Sequence, residues 1–114
     1  MIAVIFEVIP FIGERHRYLD LAGELREQLE TMDGFLSVER FESLTTRGKL
    51  LSLSFWRDEE AVRRWRETEE HRAAQAAGRG GVFAAYRLRV ADVLRDYGLN
   101  DRAEAPEDSR ARHG

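Results

Sequence analysis

Cysteine is absent from the chain, which excludes disulfides, thiolate nucleophiles and cysteine-based metal sites and suits a reducing compartment. Histidine is sparse, at three residues, and the one near the centre, His71, has no HxH or HxxxE partner, so no metal is expected. Excess positive charge is also missing. A net charge of −3 makes no field that would gather nucleic acid or an anionic membrane, so neither is an expected partner. The one long apolar run, MIAVIFEVIPFIGE, has no basic segment before it, carries Glu7 inside it and is too short to span a bilayer. It reads as a strand, and the protein is expected to be cytoplasmic. Gly78, Gly80 and Gly81 have neither a strand before them nor a helix after them, so they form no phosphate-binding fingerprint. No arrangement of residues supports nucleophilic catalysis.

What remains is an ordinary soluble chain. Its 114 residues, 43% hydrophobic and 34% charged, are enough for one domain with a modest core and no staples. From Ile2 to Pro10 both faces are apolar: Ile2, Val4, Phe6 and Val8 on one, Ala3, Ile5 and Ile9 on the other, with Glu7 as the exception. Such a strand belongs in the middle of a sheet, covered on both sides. From Glu14 to Met32 the period becomes helical, with Tyr18, Leu21, Ala22, Leu25, Leu29 and Met32 on one stripe, and Gly34 suits the turn beyond it. Phe35 to Leu44 and Lys49 to Trp56 read as two strands joined by a turn at Thr45-Thr46-Arg47-Gly48. Asp58 is a good N-cap, followed by Glu59 and Glu60 where the helix dipole favours acids.

Thr68 repeats that signal, followed by Glu69 and Glu70. A break is therefore expected near Thr68, with His71 to Ala77 as a separate short helix. The break bears on function, because on one continuous helix His71 would point away from the Val62/Trp65 stripe. Val82 to Val93 is the last strand, with Tyr86, Leu88 and Val90 alternating with Arg87 and Arg89. Residues 1–98 are read as the domain, and 99–114, polar and aperiodic, as a mostly disordered tail.

This order is β-α-β-β-α-β, a ferredoxin-like α+β plan with two helices on one face of a four-stranded antiparallel sheet. The first strand is apolar on both faces, so the open face needs a partner. A homodimer with its two sheets face to face is the expected solution.

Over residues 1–97 the chain resembles the antibiotic biosynthesis monooxygenase (ABM) family of dimeric α/β barrels. The resemblance is carried by IAVIFEVIP, by DGFLSVERF and above all by LLSLSFWRDEEAVRRWRETEEHRAAQ, with Trp56, Trp65 and His71 in their spacing. It implies a pocket between sheet and helices in each subunit. It also implies a cofactor-independent oxidation of a small aromatic, phenolic or quinol substrate, which once deprotonated passes its electrons to dioxygen. The alternative is a non-catalytic barrel that binds a small hydrophobic ligand. Haem-degrading relatives carry an asparagine on the first strand and a ligating histidine after the helix tryptophan. Here the histidine position falls on Gln75 and the first strand has no asparagine, so the resemblance to that branch is poor.

On these grounds His71 is the candidate general acid or base, since imidazole titrates near neutrality. The competing reading is a surface histidine bonded to Glu67 or water. Trp65 would shape the pocket, or simply belong to the core. Trp56 reads as packing or interface. Glu7 is a candidate substrate contact whose burial would raise its pKa, or else the partner of Arg87 or Arg89 across the sheet. Tyr86 could hydrogen-bond a phenol. Arg72 could hold an anionic oxygen, though it is one of 18 basic residues. His16 and His113 carry no functional signal.

Overall fold

The computed structural model covers all 114 residues and describes each of them except the side chains of Glu69 and Glu70. Four strands and four α-helices follow one another: β1 (Ile2–Pro10), α1 (Arg15–Glu30), β2 (Phe35–Glu42), β3 (Leu50–Trp56), α2 (Glu59–Arg66), α3 (Glu69–Ala77), β4 (Phe83–Asp92) and α4 (Glu107–His113). The strands form one antiparallel sheet in the order β2-β3-β1-β4. This is the ferredoxin-like α+β plan, with the doubly apolar β1 in the interior of the sheet as its pattern requires.

Alternation along the strands decides what each face carries. The face bearing Val8 and Leu50 packs against Tyr18 and Ala22 of α1. On the same face Trp56 packs against Leu29 of α1 and Ala61, Val62 and Trp65 of α2. Trp56 is 1% exposed, and its indole N–H donates to Ser54 Oγ at 2.9 Å, so the ring is buried without an orphaned donor. It is therefore a core residue.

The other face carries Ile5, Leu51, Leu53 and Phe55, in register as Ile5↔Leu53 and Glu7↔Leu51. Helices α1 and α2 pack on the opposite side. In its centre Glu7 is ion-paired to Arg89 at 3.1 Å and Lys49 at 3.4 Å.

Local signals behave as their chemistry dictates. Asp58 accepts from Ala61 N at 2.9 Å and caps α2. Gly48 closes the β2–β3 turn at φ +82°. Gly34 turns the chain from α1 into β2 at φ +86°, and its carbonyl accepts from Arg57 N at 2.8 Å. Beside it Arg57 pairs with Asp33 at 3.1 Å and Asp58 at 3.0 Å, tying both ends of the β2–β3 unit together. Within residues 99–114, α4 adds two turns of helix. Arg102 donates to Gly98 O at 3.1 Å, just before that segment, and to Gly114 O at 2.8 Å at its end.

Two glycines with the same backbone conformation should behave differently on substitution. A Cβ at Gly34 would lie 2.6 Å from the Ala61 Cβ, whereas one at Gly48 would meet nothing within 4 Å. Gly48→Ala should cost about 1 kcal/mol, the conformational term alone. Gly34→Ala should add overpacking and cost about 3 kcal/mol in urea unfolding. Equal losses would show that the Gly34 approach is not a packing constraint.

Candidate active site

The site is built by Thr68. Its hydroxyl donates to Trp65 O at 2.8 Å, closing α2, and accepts from His71 N at 3.2 Å, opening α3. One side chain thus ends one helix and starts the next, as its sequence signal implied. On an unbroken helix six residues would place His71 roughly 120° round from Trp65. The break instead brings the two rings together edge to face, with centroids 5.3 Å apart.

Both rings line a cavity of about 160 Å³ between the sheet and helices α1 and α3. The cavity lies between two aromatic groups. At one end are Trp56, Trp65 and His71. At the other Phe6, Tyr18, Phe83 and Tyr86 stack with centroids 5.7–6.0 Å apart. Leu21 and Leu25 of α1 and Leu88 of β4 complete an apolar wall, and Ser52, Arg40, Gln75 and Arg79 supply its polar atoms. The β4 side is the open one, where Tyr86 and Leu88 are each 45% exposed.

Burial among these rings lowers the pKa of His71 below its usual 6.5, and the nearby Arg66 charge lowers it further. The imidazole is therefore a free base at neutral pH. Glu67, the partner of the surface reading, is taken by Arg63 at 3.2 Å. Among the described residues the His71 ring has no hydrogen-bond partner.

The candidate residues divide by location. Trp65, His71 and Tyr86 come together in the cavity. Arg79 donates to the Tyr86 oxygen at 2.8 Å, which leaves the phenolic proton free to donate to a ligand. Glu7 and Arg72 do not belong to it. Glu7 sits at an odd position of β1, so alternation places it on the opposite sheet face, where its Arg89 and Lys49 partners hold its pKa below the usual range. Arg72 is exposed on α3, the helix that presents His71, Ala74 and Gln75 to the cavity.

Sequence reasoning passed over Arg40 and Tyr18. Arg40 stands two residues after Val38 on β2 and directly across from Ser52 on β3, so strand parity alone would have put it inside. Among the described residues no cluster of three or more His, Asp or Glu could hold a metal. Gln75 lines the cavity as well. No helix of the described residues is long and apolar enough to cross a membrane.

Residues 1–77 match the antibiotic biosynthesis monooxygenase family, and the chain belongs to that family. The jasmonate monooxygenase ABM of Pyricularia oryzae is 46% identical to it over 101 residues, which is 89% of this chain and 47% of that protein. The chain therefore spans about half the length of that relative. The protein YqjZ of Bacillus subtilis is 35% identical over 77 residues, covering 64% of this chain and 66% of its own. Among solved structures, Rv0793 from Mycobacterium tuberculosis has the same fold, with a TM-score of 0.76 at 20% identity over 85% of this chain and 98% of that one.

The depressed pKa of His71 has a measurable consequence. The folded state binds this proton less readily than the unfolded state, so its contribution is complete above pH 6.5 and is lost as the pH falls through the lowered value. Urea midpoints should therefore drop between about pH 7 and about pH 5, and the drop should shrink in His71→Gln. The acids whose pKa is lowered ordinarily titrate at 4.5 or below, outside most of this window. An NMR titration placing His71 at or above 6.5 would contradict the buried geometry.

Proposed function

We propose that this chain is a cofactor-independent monooxygenase that oxidises a small aromatic, phenolic or quinol substrate with dioxygen. The observation that carries the reading is a neutral imidazole, His71, packed against Trp65 in an apolar cavity of a chain from the ABM family. The close relative named a jasmonate monooxygenase supports the reaction class. At about 160 Å³ the cavity suits one aromatic ring with short substituents, since an apolar cavity of about 150 Å³ takes up benzene.

In this reading His71 accepts the proton of a phenolic hydroxyl or of a carbon activated by one. The apolar walls keep the imidazole unprotonated and so free to accept, and the Tyr86 hydroxyl donates to the oxygen that gains charge. The substrate anion passes electrons to dioxygen, and a carbon–oxygen bond forms at the activated ring carbon. The intermediate hydroperoxide then loses water as the carbonyl forms. The balance is a C–H flanked by a phenol plus O2 giving a quinone plus H2O. Four electrons leave the substrate, one oxygen atom enters the product and the other enters water.

The same reading pairs two sheets through the face carrying Ile5, Leu53 and Phe55, which makes a homodimer with a cavity in each subunit. Sedimentation should give the mass of two chains, and Leu53→Glu should give one. A monomeric wild type would remove the pairing.

Oxygen uptake with a panel of hydroquinones and other single-ring phenols, with no cofactor added, tests the chemistry. Uptake should require the protein and fall at least 100-fold in His71→Ala, the scale of a lost general base. Uptake unchanged by the mutation would take His71 out of the mechanism. No uptake above background across the panel would favour a barrel that binds a small hydrophobic ligand without turning it over.

A further inference from the structure

Arg40 is a charged group of the cavity that the proposed chemistry leaves unused. Its Nε is buried and, among the described residues, has no hydrogen-bond partner. Nor is its charge balanced by an ion pair within the 4 Å limit among those residues. Glu42, the next acid on the same face of β2, is bonded instead to Arg15 at 2.7 Å. Arg79, the other cavity arginine, is exposed and already bonded to Tyr86. A guanidinium with an unmet donor in a low-dielectric wall is destabilising unless something accepts from it.

Its surroundings are donors too. Tyr18 is 5% exposed and lines the same end of the cavity. Burial raises its pKa above 10, an effect the Arg40 charge offsets in part, so the phenol keeps its proton and can donate it. Ser52, opposite Arg40 in the β2–β3 register, presents a hydroxyl to the cavity. Three donors, one of them charged and planar, thus converge with no acid among them. That is the complement of a carboxylate, which accepts from a guanidinium fork and has lone pairs left for two hydroxyls.

We propose that the Tyr18–Arg40 end of the cavity is a carboxylate subsite, so that the protein selects aromatic acids over their neutral counterparts. The inference rests on the reading of this cavity as a substrate site but not on the oxidation itself. The Arg40 carboxylate contact would fix one end of the ring system, and the opposite end would lie towards Trp65 and His71.

Binding without turnover tests it, with phenylacetate and phenylacetamide as probes of nearly equal size. By calorimetry the acid should bind the wild type at least 10-fold more tightly than the amide, which corresponds to about 1.4 kcal/mol. Arg40→Gln should abolish that preference while leaving amide binding in place, and Arg79→Gln should keep it. Tyr18→Phe, which removes only a hydroxyl, should reduce it several-fold. In the wild type, the Arg40 Nε–H resonance should move downfield with the acid and stay in place with the amide. This readout needs no variant to fold. Equal binding of acid and amide, no saturable binding of either, or a preference that survives Arg40→Gln would each overturn the proposal. A carboxylate preference without oxygen uptake would leave the subsite standing and discard the monooxygenase.

Discussion

Everything at the site follows from one hydroxyl. Thr68 donates to the last free carbonyl region of α2 and accepts from the first turn of α3, so the chain changes direction between Trp65 and His71. Without that change the imidazole would sit on the solvent face of a long helix, beside the arginines of α2. With it, a tryptophan that packs into the core and a histidine that lines a cavity become neighbours. The two helices are short, at eight and nine residues, and neither would be stable alone in water. Their caps and their packing against the sheet hold them in place.

The cavity treats two of its bases, His71 and Arg40, in opposite ways. Low polarity around His71 removes its proton, because an imidazole can shed its charge and so escape the desolvation penalty. Arg40 has no such escape, since a guanidinium keeps its proton under all ordinary conditions. The same apolar walls thus yield a neutral acceptor at one end and an obligate cation near the other. A ligand with a removable proton and a permanent negative charge would meet a complementary group at each end. The division arises from side-chain chemistry alone and needs no special backbone geometry.

Much of this was legible in the sequence. The β1 pattern called for a strand covered on both faces, and β1 is interior. Thr68 followed by acids called for a second helix start, and the break is there. Trp65, His71 and Tyr86 line one cavity, and Trp65 and Tyr86 lie on a stripe or face that periodicity reveals. The misplaced residues also follow from geometry. Glu7 was weighed both as a buried acid and as the partner of Arg87 or Arg89; it stands with Ile5 and Ile9, where Arg89 and Lys49 reach it. Arg72 was weighed as a holder of an anionic oxygen against its being one of many surface cations, and it is exposed on α3, since neighbours in a helix point in different directions. Arg40 was missed. It shares the parity of Val38 and pairs with Ser52, so a count along β2 places it inside, but its charge marked it as a surface residue.

The β4 strand is both a wall of the cavity and the edge of the sheet. Tyr86, Leu88 and Val90 face inward, yet close to half of each remains in contact with solvent. Among the described residues, the half-exposed side chains of β4 leave that side of the cavity in contact with solvent. Such a cavity gains nothing by excluding molecules at its mouth. Whatever selectivity it has must be exercised after arrival, through how long a molecule stays, and weakly held rings will leave as freely as they came.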